Sequence, residues 1–249
     1  MQKGPERFFA PLPPNHQYGI YNEILRFDPE KVWRVASSIV NTSQEIKEGD
    51  RLLLNFFPGS RQLAEMVAYQ AAHQGAAVVL RCQDPTVEAA LLAGIKNQSS
   101  QELLNDMSWG SNADIAWATN FIAIRCVDNP NAMDIVDRQI LLESENSLAN
   151  SQSIRIERRR WTLIYLPTKQ EAEIDHMDFD QYVQMFLNAC DRPWNKIKEA
   201  QQYLIDNILN PGENIEIYAG KNTHLKGSIK NQVFVNSTIG RNFPGSEVF

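Results

Sequence analysis

Cysteine is scarce and scattered. Cys82, Cys126 and Cys190 lie far apart and form no C-x-x-C, which excludes a disulfide framework and a zinc ribbon. Long apolar runs are missing as well. Leu52–Phe57 and Ala76–Leu80 have the length of core strands, well short of the roughly 18 residues that cross a bilayer, so no membrane partner is expected. The opening residues MQKGPERFFAPLPPNH lack the apolar region of a secretion signal, and a reduced, cytoplasmic setting is the simplest expectation. Positive charge is not in excess. Lys and Arg total 24 against 30 Asp and Glu, a net charge of −6. Nucleic-acid phosphates reward clustered bases, so no nucleic acid is expected as a partner. Among catalytic signatures, H-E-x-x-H, G-x-S-x-G, G-x-G-x-x-G and G-x-x-x-x-G-K-[ST] are all absent, and no two of the four histidines are spaced i, i+4.

What remains is ordinary globular material: 249 residues, 43% hydrophobic and 22% charged. That is enough for a sizeable core in one large domain, or in one and a half smaller ones. Residues 1–27 mix aromatics with prolines and read as an irregular segment wrapping something else. Asp28-Pro29 reads as an N-cap and first helical residue. Val32, Trp33, Val35, Ala36, Ile39 and Val40 then fall at helical spacing. Arg51–Phe57 reads as a buried strand, Arg61–His73 as a helix capped by Ser60 and closed by Gly75, and Ala76–Arg81 as a second strand. Strand, helix and strand in about 30 residues make a βαβ unit, the building block of parallel sheets. Helices are expected at Val87–Leu92, Glu102–Met107, Met133–Leu148, Glu171–Met177, Phe179–Ala189 and Trp194–Leu209, with strands at Phe121–Val127 and Trp161–Leu166. Asp128-Asn129-Pro130-Asn131 reads as a turn.

The character changes after Asn210-Pro211-Gly212, a strong stop signal. Asn214–Ala219 and Asn231–Asn236 alternate polar and apolar residues, as half-exposed antiparallel strands do. The expected class is therefore α/β. Residues 1–211 form an N-terminal domain with a parallel sheet and helices on both faces. Residues 212–249 form the first antiparallel strands of a second domain. Those last 38 residues are too few for a core of their own, so the second domain is expected to be incomplete here, and its residues poorly ordered or dependent on a partner.

Candidate chemistry is thin. The turn Phe57-Pro58-Gly59-Ser60-Arg61 could offer backbone N–H groups to an anion, yet a cap beside a turn glycine explains it. His176 with Glu173, Asp175, Asp178 and Asp180 reads as carboxylates at helix starts, favoured by the helix dipole. Cys82 and Cys126 read as small core residues. Cys190 has Arg192 nearby, which could lower its pKa, although a buried inert thiol is the plainer reading. The basic run Arg155–Arg160 reads as a solvated approach to a strand or a partner contact.

The most distinctive stretch is Asn236-Ser237-Thr238-Ile239-Gly240-Arg241-Asn242-Phe243-Pro244-Gly245-Ser246-Glu247-Val248-Phe249. It resembles the N-[aliphatic]-P-x-G-E-V-F segment of the thermophilic metalloaminopeptidases, the family of aminopeptidase T, aminopeptidase S and similar leucyl aminopeptidases. Glu216–Leu225 is similar to that family's strand, turn and T-D/H-L step. Upstream, Lys47–Asp50 before RLLLNFF, Ala68–Val78, and Pro193-Trp194 before a helix fit its N-terminal order. The resemblance implies an α/β N-terminal domain, a C-terminal domain carrying two divalent ions (zinc, cobalt or manganese), peptide substrates cleaved at their N-termini, and a homodimer. It assigns Glu247 as the first metal ligand, with no catalytic or further cofactor-binding residue in this chain. The remaining ligands in the family follow later in its chain, so this polypeptide alone is expected to be inactive and to bind metal weakly. The family carries Gly before its Glu where this sequence has Ser246, and a left-handed backbone there would strain a serine. Two rival readings stay open: a non-catalytic dimerisation or peptide-binding module, and a nucleotide-binding flavodoxin-like domain, which the missing phosphate loop disfavours.

Overall fold

The computed structural model describes residues 29–95, 100–127 and 129–249. The expectations for residues 1–27, the Asp28 cap and Asp128 of the turn lie outside them. The centre of the fold is a five-stranded parallel sheet in the order β2-β1-β3-β4-β8. Its strands are β1 (Arg51–Phe56), β2 (Ala77–Cys82), β3 (Asn120–Arg125), β4 (Arg160–Tyr165) and the two-residue β8 (Asn242–Phe243). The α/β class and the helices on both faces follow from period-2 alternation along β1, β3 and β4. Leu52, Leu54, Ile122, Ile124 and Ile164 point to one face and join the main core. Helices α1 (Pro29–Ser38), α2 (Arg61–His73), α7 (Phe179–Cys190) and α8 (Trp194–Leu204) supply the rest of that core. Leu53, Phe121 and Ala123 point the other way, against α4 (Ser100–Trp117), with Trp161 and Leu163 beside them. The long helix α5 (Arg138–Arg158) packs along α4 and contributes Ile154.

Local signals account for most boundaries. All six periodic positions of the first helix are buried, two of them in the π-helical turn Ile39–Ser43 that continues α1. α3 (Pro85–Ala93) starts where Asp84 accepts from the N–H groups of Thr86 and Val87, with Pro85 at its first position. α6 (Lys169–Ile174) begins with a reciprocal box between Thr168 and Glu171, so two N-terminal N–H groups are satisfied at once. Ser60 does not cap α2. Its hydroxyl lies 2.8 Å from the carbonyls of Phe57 and Ile124, tying the β1–α2 turn to the end of β3. The helix expected from Met133 begins at Arg138, because Asp137 accepts from the Gln139 N–H and fixes the start there.

After α8, β5 (Asn214–Ala219) pairs with β6 (Thr223–Ser228), and β7 (Asn236–Thr238) pairs with β9 (Ser246–Val248), both antiparallel. Of the strand expected over Asn231–Asn236 only the end pairs, with Val235 bonded to Phe249 and Asn236 opening β7, while the partner of β5 is Thr223–Ser228. Asn231 has φ +64°, a left-handed turn geometry that asparagine tolerates and a strand does not. Between β7 and β9 the chain reaches back into the first sheet. Leu163 N–H donates to the Arg241 carbonyl at 2.8 Å, and β8 runs parallel to β4. Phe243 packs on the Trp194 ring at 5.7 Å, and both are buried.

Ile239, fully buried, has φ +43°, a costly geometry for a β-branched residue. Its surroundings hold it there. Its N–H donates to the Gly245 carbonyl at 2.7 Å, and its carbonyl accepts from the Ser43 hydroxyl. Ser43 lies 2.6 Å from the Thr162 hydroxyl, which also accepts from Gln44 Nε2 at 2.6 Å. Asn120 Nδ2 in turn donates to the side-chain and main-chain oxygens of Gln44, at 3.2 Å each. Gly245 is required by space: a Cβ there would sit 2.9 Å from the Asn242 carbonyl oxygen.

Replacing Thr162 by Val should leave the buried Gln44 amide and Ser43 hydroxyl short of a partner. The expected loss is about 1–3 kcal/mol in urea unfolding. Gly245→Ala should cost a similar amount, roughly 1–3 kcal/mol, and speed amide exchange at Ile239 and Leu163. Ser246→Gly should shift stability by less than about 1 kcal/mol, since no left-handed angle is needed there.

Candidate functional site

Glu247 lies in the middle of β9, opposite Ser237 of β7, with its side chain exposed. Two further bonds between Val235 and Phe249, at 2.6 and 3.2 Å, extend the ladder on which it stands. That ladder is fastened to α8. Asn236 Nδ2 donates to the Lys198 carbonyl at 2.8 Å, and the Thr238 hydroxyl donates to Gln201 Oε1 at 2.6 Å. α8 itself is seated by Trp194, whose indole N–H donates to the Cys190 carbonyl at 2.9 Å. The backbone that presents Glu247 is therefore tied to the core, while its carboxylate faces outward. Ser246 is not among the residues with positive φ, so a serine meets no backbone strain in the place where the family carries glycine.

Among the described residues, no group of three or more His, Cys, Asp or Glu side chains could hold a metal ion. A pair of dications needs several hard or borderline donors. The described residues do not build such a centre, and Glu247 supplies one carboxylate. The other acids near it in sequence are occupied elsewhere. Glu216, on β5, accepts from the Tyr218 hydroxyl at 2.7 Å, from Lys226 at 2.9 Å, and meets His224 Nε2 at 3.0 Å. The Tyr218 bond first, then those from Lys226 and His224, holds its carboxyl below the usual range. His224 stacks on Tyr218 with ring centroids 4.2 Å apart. This is a polar network on one face of the hairpin, where the register puts residues 216, 218, 224 and 226 together.

The remaining candidates resolve as structure. His176 sits in the α6–α7 turn at φ +54°, and Asp178 caps α7 by accepting from the Gln181 N–H at 3.1 Å. Cys190 is fully buried. Burial, and after it the Asp191 charge, pushes its thiol pKa far up; Arg192 does not activate it. Cys126 is buried, but Cys82 is exposed, because β2 is the edge strand and its end faces solvent. Within the basic run, Arg159 donates to the carbonyls of Ile115 and Ala116 at the end of α4, a favourable place for a cation. Arg160 pairs with Glu45 at 2.6 Å. Arg155 turns inward, against the rings of Phe121 and Trp161. The sequence reading passed over the space Arg155 enters, a cavity of about 410 Å3 under α4 and α5. The signal for it is Arg125, a charged residue that ends the largely apolar strand β3 and lines the cavity.

The sequence profile of the thermophilic metalloproteases (M29) matches residues 28–249. Among solved structures, wild-type AmpT from Thermus thermophilus superposes with a TM-score of 0.52 at 12% identity, over 73% of this chain and 50% of that one. This chain thus spans about half the length of that protein, and the likeness shows a shared fold. A LacI-family transcription repressor from Corynebacterium glutamicum matches over 71% of this chain and 55% of its own at 8% identity; its TM-score of 0.31 is too low to support an argument. No curated protein matches. With its profile match running from before α1 to the last residue, the chain belongs to the thermophilic metalloprotease family (M29).

Proposed function

We propose that this chain is the N-terminal part of a metal-dependent aminopeptidase, a homodimeric cytoplasmic enzyme that removes N-terminal residues from peptides. Glu247 is its first metal ligand. Residues 1–211 are the supporting α/β domain, and residues 212–249 begin the catalytic domain. The observation that carries this reading is Glu247 itself, an exposed carboxylate on a ladder whose backbone is bolted to α8 and to the parallel sheet. A site that must hold a metal to fine tolerance needs such a supporting shell. Family membership over residues 28–249 supplies the chemistry class.

The donor count limits what the 249 residues do by themselves. With one carboxylate of the family's motif and no converging donor group among the described residues, the chain alone binds zinc, cobalt or manganese weakly and does not turn over substrate. A second feature points to further packing around this segment. The β5–β6 hairpin exposes Ile215, Ile217 and Leu225, which its register places on the face opposite the Glu216 network. An isolated two-stranded hairpin is marginal in water. That apolar face also favours the second reading, in which the domain serves assembly and Glu247 is incidental.

The test is hydrolysis of leucine p-nitroanilide with added Co2+ or Zn2+. The 249-residue chain should show no turnover. A polypeptide extended by the downstream family ligands should show it, and Glu247→Gln in that polypeptide should cut the rate by about two orders of magnitude or more. Turnover by the 249-residue chain, or an extended enzyme indifferent to Glu247→Gln, would overturn the proposal.

A further inference from the structure

The strand order places a topological switch between β1 and β3. The chain leaves β1 for β2 on one side through α2, then crosses back past β1 to β3 through α3 and α4. In open parallel sheets the connections diverge at such a point, and a crevice opens beyond the carboxyl ends of the strands. Here that crevice is real: a cavity of about 410 Å3, bounded by the ends of β1, β2 and β3 and roofed by α4 and α5. Its volume falls in the range of roughly 300–1,000 Å3 typical of small-molecule sites.

The chemistry of its walls is uneven. Leu53, Phe121 and Leu148 make an apolar side. Arg81, Arg125 and Arg155 all line the cavity. Arg81 is neutralised by Asp114 through two bonds of 2.6 and 2.9 Å. The other two lack such a match among the described residues. Arg125 sits against the rings of Phe57 and Tyr165 and bonds the Tyr165 hydroxyl at 3.3 Å. Glu88, on α3, feels the Arg125 charge without forming an ion pair with it. Arg155 lies 5.3 Å from the centre of the Phe121 ring and 5.7 Å from that of Trp161. Its Nε–H is buried with no hydrogen-bond partner, as is the side-chain oxygen of Asn55 across the cavity. Burial, and after it the Arg125 charge, depresses the Arg155 pKa. Two guanidinium groups thus share a partly dry space with no described acid between them, and a buried donor is left unmade. Both are costly in the empty protein. An anion between the two arginines would remove both costs, with Nε–H of Arg155 as one donor.

We propose that this cavity binds a small organic oxyanion, a carboxylate- or phosphate-bearing molecule whose charged group lies between Arg125 and Arg155 and whose apolar part rests on Leu53, Phe121 and Leu148. A bare inorganic ion would leave most of the space unfilled, so the ligand has a body. The site lies under α4 and α5, whereas Glu247 lies on the β7–β9 ladder fastened to α8, so the inference stands or falls apart from the peptidase reading.

The 249-residue chain is titrated in a calorimeter at low salt with N-acetyl-L-leucine, with AMP and with inorganic phosphate. Saturable binding of either organic anion, stronger than that of inorganic phosphate and weakening as NaCl is raised, is the expected result. The ligand that binds tells a carboxylate site from a phosphate site. Arg125→Gln and Arg155→Gln should each weaken binding about tenfold or more, and Arg158→Gln, exposed on the same helix and outside the cavity, should not. Should either arginine variant misfold by circular dichroism, Gln152→Glu decides instead. It places a carboxylate at the exposed rim of the cavity and should also weaken binding. Absence of saturable binding by both organic anions, or binding that survives the folded arginine variants and Gln152→Glu alike, overturns the proposal.

Discussion

The hydroxyl of Thr162 is where this architecture converges. Fully buried in β4, it meets Ser43 and Gln44 at the end of the first helical segment, and through Ser43 it reaches the carbonyl of Ile239. Gln44 extends the chain of bonds to Asn120 in β3. One small polar cluster therefore joins the end of the first described helical segment, two central strands and the segment that presents Glu247. In a dry interior such bonds are strong, and each unmade one is expensive. The cluster fixes where the last residues of the chain must lie, and a strained Ile239 is tolerated because its neighbours leave it no alternative.

The two faces of the sheet are built differently, and the difference divides their roles. The face carrying Leu52, Leu54, Ile122 and Ile164 is sealed by four helices into a continuous apolar core. The opposite face holds a smaller cluster around Leu53, Phe121 and Ala123, and towards the strand ends it gives way to arginines and open volume. Stability resides in the first face. The second keeps polar groups in a partly buried space, which a protein selected for packing alone would have filled.

Strong local signals made most of the fold legible. The apolar runs RLLLNFF and WTLIYL, the Val32–Val40 periodicity and the Pro211-Gly212 stop correspond to β1, β4, the first helix and the end of the helical region. Errors arose where non-local bonds overrule local pattern. Ser60 looked like a cap, yet it bonds the end of β3, a partner 64 residues away that no window of sequence reveals. Cys82 looked like core because its run is apolar, but edge placement depends on strand order. Residues 231–236 alternate throughout, yet pairing starts only at Val235, because Asn231 turns the chain. For the site, Glu247 was visible through the resemblance of the segment around it. The scaffold that holds it was not: Thr238 to Gln201 and Phe243 on Trp194 are contacts between parts of the sequence with no common motif.

The fifth strand of the sheet has a bearing on how the polypeptide emerges from the ribosome. β8 is made of residues 242 and 243, whereas β4, its neighbour, ends at Tyr165. Throughout the synthesis of the intervening helices, the outer edge of β4 stays bare, and an unpaired strand edge invites pairing with other nascent chains. The residues that pair with Leu163 and Ile164 are not made until positions 242 and 243 have been added. The helical stretch made in between, α6 to α8, comes off the ribosome while the edge is open, so a chaperone or a pause acting on this protein would have its greatest effect in that interval.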